Sequence, residues 1–198
     1  MEDDRVRELV QKGDAIGATQ LVIERYGAEI FGYVASLLKD EDLASDAFAR
    51  ACENVYKGML SFRGESSVRT WFYVIARNAA HRETRGKRRR IERLSGVASA
   101  LQAPIRTATA AFKRTGVKSE VAKLRDSLTD EERELLLLRV DRDLSWLEIA
   151  AVRSGSEASD EEALKREAAR CRKQFERTKM RLRELAEQAG LLGDKQDA

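Results

Sequence analysis

Apolar residues recur at helical spacing along almost the whole chain. Between 19 and 38 they fall at Val22, Ile23, Tyr26, Ile30, Val34 and Leu37, which predicts a helix with one buried stripe. Val6, Leu9 and Val10 predict a short helix before it, closed by a Lys12-Gly13-Asp14 turn, and Ala47, Ala51, Val55 and Met59 continue the pattern over 43–60. Val68, Trp71, Phe72, Ile75 and Ala79 form the next apolar face, with Ser66 or Ser67 as N-cap. Thr70, Arg77, Asn78, Arg82 and Arg85 lie opposite, with Tyr73 at the border. Thr129 with Glu132, and Ser145 with Glu148, read as two capping boxes that each open a short amphipathic helix. Leu164, Ala168, Cys171, Phe175, Thr178, Leu182, Leu185 and Ala189 then step by four and three along a long last helix. Its outward face carries Arg166, Arg170, Lys173, Arg177 and Arg181.

No segment alternates with period two over a convincing length, so the expected fold class is all-α. The single proline, Pro104, sits in a small-residue stretch that reads as a linker. The expected organisation is a helical domain over 1–93, a linker over 94–118 and a second helical domain over 119–198.

Charge changes the picture through its distribution. The net charge is only +3, from 37 lysines and arginines against 34 acids. Residues 1–60, however, hold 12 acids and 7 bases (net −5), while 69–93 hold 9 bases and 2 acids (net +7), as do 165–183. An ordinary solvated helix mixes signs at i,i+4 spacing, whereas these blocks do not. Self-repelling bases of this kind point to a polyanion, and nucleic acid is the expected one. Two short helices followed by a basic third helix is also the order of a helix-turn-helix DNA reader. A dimerising coiled coil fits the last stripe too, although most of its core positions are small or polar.

Catalytic chemistry is not expected. The chain has one histidine, His81, two distant cysteines, Cys52 and Cys171, no CxxC spacing and no glycine-rich phosphate loop. No catalytic residue, metal site or cofactor is assigned. The N-terminus MEDDRVREL lacks a signal-peptide core, and no apolar run approaches the roughly 20 residues of a membrane span, so no membrane insertion is expected. Two unpaired cysteines suit a reducing cytoplasm, where both read as small core residues.

"SFRGESSVRTWFYVIARNAA" and the two segments "LVQKGDAIGATQLVIERYGAEIFGYVASLL" and "LTDEERELLLLRVDRDLSWLEIA" together carry a resemblance. The chain resembles the sigma-70 family of bacterial transcription initiation factors, in its small two-domain extracytoplasmic-function group. The likeness covers about 5–93 and 124–188, and "RCRKQFERTKMRLREL" is similar to the family's closing helix. The resemblance implies that the partners are core RNA polymerase, through its clamp and flap surfaces, promoter DNA and an inhibitory anti-sigma protein. It implies a −10 element site made of the loop Ser61, Phe62, Arg63, Gly64, Glu65, Ser66 and Ser67, where a flipped base is captured, followed by Arg77, Asn78, Arg82 and Arg85. A preformed pocket and positive charge would offset the cost of unstacking that base. It implies −35 contacts by Arg170, Arg172, Lys173 and Arg177, and polymerase docking by Asp42, Asp46, Arg50, Glu53 and Tyr56.

Two departures from the family pattern stand out. Ala49 and Arg50 occupy places where the family has glutamine and an acid. About ten residues are added in "VRSGSEASDEEALKREAA", enlarging the turn at 153–163 and bringing Glu157, Asp160, Glu161 and Glu162 near the groove-entering end. Either the last helix breaks near Ala168 or Ala169, or it runs on unbroken from about 160 to 188. The absence of glycine and proline from 160 to 189 favours continuity, and with it weak −35 specificity. A helix-turn-helix regulator that does not recruit polymerase, an RNA-binding helical protein and a helical adaptor are the competing readings.

Overall fold

The computed structural model describes the backbone of residues 2–101, 124, 127–155 and 160–191, with side chains except those of 2 and 90–101. The helices in chain order are α1 (Glu2–Gln11), α2 (Ala15–Leu38), α3 (Glu41–Gly58), α4 (Val68–Leu101), α5 (Asp130–Leu136), α6 (Trp146–Ser154) and α7 (Glu161–Gln188). A 3-10 turn, Met59–Ser61, follows α3, and a π turn, Leu137–Asp141, continues α5. There is no strand among the described residues.

Local chemistry sets the boundaries. Asp14 caps α2 by accepting the Gly17 N–H at 2.8 Å. Lys39 ends that helix in the left-handed region at φ 52°, and the next residue, Asp40, starts α3 by accepting the Leu43 N–H at 3.0 Å. Both expected capping boxes are present, Thr129 with Glu132 and Ser145 with Glu148, each bonded in both directions. Ser67, rather than Ser66, caps α4, its Oγ accepting the Thr70 N–H at 3.1 Å.

Helices α2, α3 and α4 pack together over Val22, Ile30, Val34, Ala47, Ala51, Val55 and Phe72, all fully or almost fully buried. The alanines of α3 let its neighbours approach closely. The buried cluster continues without interruption into Leu135, Leu138, Ile149, Val152 and Cys171 of the second half. Cys171 is buried and Cys52 half-buried, both free thiols. Helix α4 continues to Leu101, into the first residues of the expected linker; 102–118, with Pro104, lie outside the described residues.

The long last helix is continuous from Glu161 to Gln188, with Ala168, Cys171 and Thr178 buried along its stripe. The end of the enlarged turn, Glu161 to Ala163, is therefore part of this helix. Glu161 and Glu162 fall in its first turn, where the helix dipole favours acid, behind Asp160 as N-cap. Glu157 lies outside the described residues. Arg181 is exposed as expected, and it also reaches Glu132 at 3.0 Å and the Ser127 carbonyl at 3.1 Å. The capping glutamate of α5 supplies a nearby carboxylate, and a partly covered pair is favoured over a free guanidinium there.

Candidate nucleic-acid interface

The loop before α4 is built from its ends inward. Ser61 Oγ donates to the Gly58 carbonyl at 2.8 Å. The Phe62 ring is 9% exposed and lies 4.9 Å from the Trp71 ring, so this residue anchors the loop from below. Arg63 is exposed and 3.6 Å from Glu65. Gly64 turns the chain at φ 70°, a conformation that glycine adopts without strain. Its carbonyl faces the Arg7 guanidinium of α1 at 3.5 Å, and Asp3 accepts the Val68 N–H at 3.3 Å. Helix α1 thus braces the loop at both sides, a support that the sequence pattern did not single out.

The polar face of α4 is not open to solvent along its length. Arg77 lies in the seam between the two halves, its Nε and Nη2 donating to the two oxygens of Glu134 at 2.7 and 3.2 Å. The Arg77 side chain is 16% exposed and that of Glu134 3%. Tyr33 of α2, fully buried, donates its hydroxyl to the same carboxylate at 2.8 Å. Burial and that carboxylate hold the Tyr33 hydroxyl protonated, far above the ordinary tyrosine range. Arg77 also donates to the Arg153 carbonyl at 3.1 Å, and Asn78 to the Gly155 carbonyl at 3.0 Å. Thr70 donates to Glu148 at 3.0 Å. Further along α4, Arg82 and Arg85 are exposed.

A second polar node lies one turn toward the start of α4. Arg69 forks onto Glu29 and also reaches the Arg142 carbonyl at 2.8 Å, while Tyr73 donates to Glu29 at 2.7 Å. Burial alone would raise the Glu29 carboxyl, but hydrogen bonds from Arg69 and Tyr73 hold it below its ordinary value of 4.5. A carboxyl lowered by folding contributes stability above its unfolded value, and loses it as pH falls through the lowered one. Glu29→Gln is therefore expected to lower the melting temperature at pH 7, with the gap to wild type closing below about pH 4.5. A gap independent of pH would remove the charge from this account.

The acid-bearing helix α3 presents Asp42, Asp46, Arg50, Glu53 and Tyr56 on its exposed side, with Tyr56 49% and the following Leu60 56% exposed. Arg50 Nε lies 2.5 Å from Glu83 of α4, so the departure at this position has a partner inside the chain. On α7, Arg170, Arg172, Lys173 and Arg177 are exposed. Arg172 rests over the Trp146 ring at 5.8 Å.

Residues 22–90 match the family description of Sigma-70 region 2. The RNA polymerase sigma factor YlaC of Bacillus subtilis is 31% identical over 137 residues, covering 65% of this chain and 75% of that protein. The chain belongs to the sigma-70 family of RNA polymerase sigma factors. RNA polymerase sigma-H factor of Pseudomonas aeruginosa is 35% identical over 89 residues, 44% of this chain but only 46% of that factor. The ECF RNA polymerase sigma-E factor of Escherichia coli K12 is 29% identical over 162 residues, 77% and 83% of the two chains. These likenesses place the sigma factor in the extracytoplasmic-function group, whose members are transcription initiation factors without enzymatic chemistry of their own. The fold is shared with the sigma factor RpoE of Bartonella quintana, solved in complex with the anti-sigma factor NepR, at TM-score 0.60 and 18% identity over 83% of this chain and 94% of that one. No helix among the described residues is long and apolar enough to cross a membrane.

Proposed function

We propose that this sigma factor docks on core RNA polymerase through the exposed side of α3 and holds −10 promoter DNA with the loop 61–67 and the polar face of α4. The observation that carries the reading is the pairing of a braced, preformed loop with an exposed face bearing Asp42, Asp46, Glu53, Tyr56 and Leu60. Acid around two exposed apolar side chains suits a basic partner surface with an apolar centre. Phe62 and Trp71 fix the loop, Arg63, Gly64, Ser66 and Ser67 line the capture site, and Arg82 and Arg85 hold phosphates without reading sequence. Arg170, Arg172, Lys173 and Arg177 contact −35 DNA, weakly specific because the continuous α7 sets acid at its entering end. The factor works in the cytoplasm, and an inhibitory anti-sigma protein is its regulator.

Run-off transcription with purified core polymerase tests this reading. Promoter-dependent product is expected with the factor and none without it; a regulator that only binds DNA, or an adaptor, gives no product.

Arg50 supplies a sharper test of the docking side. Changing it to glutamate alone sets two carboxylates together at Glu83, which disturbs the contact of α3 with α4. The double variant Arg50→Glu, Glu83→Lys keeps a pair of reversed sign and restores the acid at the docking side. It is expected to capture core polymerase from an unrelated bacterium more strongly than wild type in a pull-down, by the 0.2–1 kcal/mol order of an exposed charge pair. Weaker capture would mean that α3 is not the docking surface or that the native partner is adapted to Arg50.

A further inference from the structure

Helix α1 meets the loop 61–67 with two charged side chains one helical turn apart, Asp3 and Arg7, while the buried Val6 pins the helix to the core. Asp3 accepts the Val68 N–H at 3.3 Å, one of the donors that the start of α4 leaves unbonded within the helix. Arg7 is held differently. Its Nη2 faces the Gly64 carbonyl at 3.5 Å, and a Cβ at Gly64 would come within 2.9 Å of its Nε and 3.4 Å of its Cζ. The guanidinium therefore lies along the loop at a place where only glycine leaves room. Its outer edge is open: the Arg7 side chain is 48% exposed, and its ion pair at 3.6 Å is with Asp4, itself 73% exposed. Such a pair is weak and screened by salt, so a phosphate can take the place of Asp4.

We propose that Arg7 is a DNA-binding residue of the −10 site: the loop orients its guanidinium, and the outer N–H edge takes the backbone phosphate beside the captured base. This rests on the assignment of the loop to −10 DNA and adds a residue from a helix outside it. The loop needs a cation from elsewhere. It holds one base, Arg63, and one acid, Glu65, which lie 3.6 Å apart, so it brings no net charge of its own. Arg69, the arginine of α4 nearest the loop, is engaged by Glu29. Arg82 stands 14 residues beyond Val68, about 21 Å along the helix axis. Arg7 alone brings a half-exposed guanidinium against the loop backbone, already oriented, so that little freedom is lost when it bonds a phosphate.

The test uses the full chain and two fluorescein-labelled single strands, oligo-dT and an oligonucleotide of mixed sequence, with binding followed by anisotropy over a range of salt. Arg7→Ala is expected to weaken binding of both probes by the same factor. It should also flatten the plot of log affinity against log salt by about 0.7, the slope of one phosphate contact on a single strand. Arg7→Lys keeps the charge and should restore the slope. Arg5→Ala removes an equal charge from the opposite flank of α1, where Arg5 is exposed, and should leave the slope at the wild-type value. Arg7→Gln replaces the alanine variant if that one does not fold. An unchanged slope in Arg7→Ala overturns the proposal, as does an equal fall in Arg5→Ala, a fall that lysine does not restore, or a wild type that binds neither probe. The functional reading is decided separately, by promoter-dependent product from the wild type with core polymerase. Product with an unchanged slope removes Arg7 alone, and no product removes the reading itself.

Discussion

Phe72→Ala is expected to remove about 3–5 kcal/mol of folding stability, the usual range for emptying a fully buried aromatic site. Phe72 is 0% exposed, and its ring stacks on Phe48 of α3 at 6.4 Å between centroids. The alanines at 44, 47 and 51 of the same α3 are fully buried, so that helix offers little besides Phe48 to fill the space. Against a typical total of about 5–15 kcal/mol this is a large fraction. For a chain of this size it corresponds to roughly 6–20 °C in the melting temperature. Urea unfolding of the variant checks the value, and a loss below about 1 kcal/mol would contradict the burial assigned to the ring. The consequence reaches function, because Phe72 and Trp71 together fix the rotation of α4. Ala76 and Ala80 hold the same helix against the core, so only a defined strip of α4 faces the seam.

What the sequence made legible is what is decided locally. The two capping boxes are visible because each needs only residues three apart, and both are formed. The continuity of α7 is visible because an unbroken stripe with no glycine or proline leaves a helix nothing to break on. The seam between the halves was not visible, for a physical reason. Arg77 and Glu134 are 57 residues apart, and Tyr33 and Glu134 101 apart, so no spacing rule connects them. On a helical wheel a basic residue opposite an aromatic face looks the same whether its partner is a phosphate or a carboxylate of its own chain. Glu29 was missed for the same cause: its partner Arg69 lies 40 residues on. Tyr33 had a weak signal, since it falls three after Ile30 and so within the buried stripe of α2.

Arg77→Ala is expected to part the two halves while leaving the helices formed. In the closed arrangement Glu134 is 3% exposed and takes two N–H bonds from Arg77. Truncating the arginine would leave that carboxylate buried with only the Tyr33 hydroxyl, a penalty of about 3–5 kcal/mol for breaking a buried pair on one side. The chain has a cheaper course than unfolding, which is to open and return Glu134 to water. Helicity by circular dichroism should therefore persist while amide exchange rises where α6 covers α4, over residues 70–80. Replacing both partners by apolar groups, Arg77→Met with Glu134→Leu, removes the charge without orphaning it. That double variant should stay near wild type in exchange, because exchanging a whole buried pair for packed side chains is often neutral or favourable. The contrast separates electrostatics from simple loss of contact area, which the single truncation alone does not do. On the proposed reading, Arg77→Ala with Asn78→Ala removes two groups of α4 that face promoter DNA. Slower promoter opening with polymerase binding retained is the expected result. Normal opening rates in that variant, together with unchanged exchange in Arg77→Ala, would take from Arg77 both the proposed DNA contact and its hold on the seam.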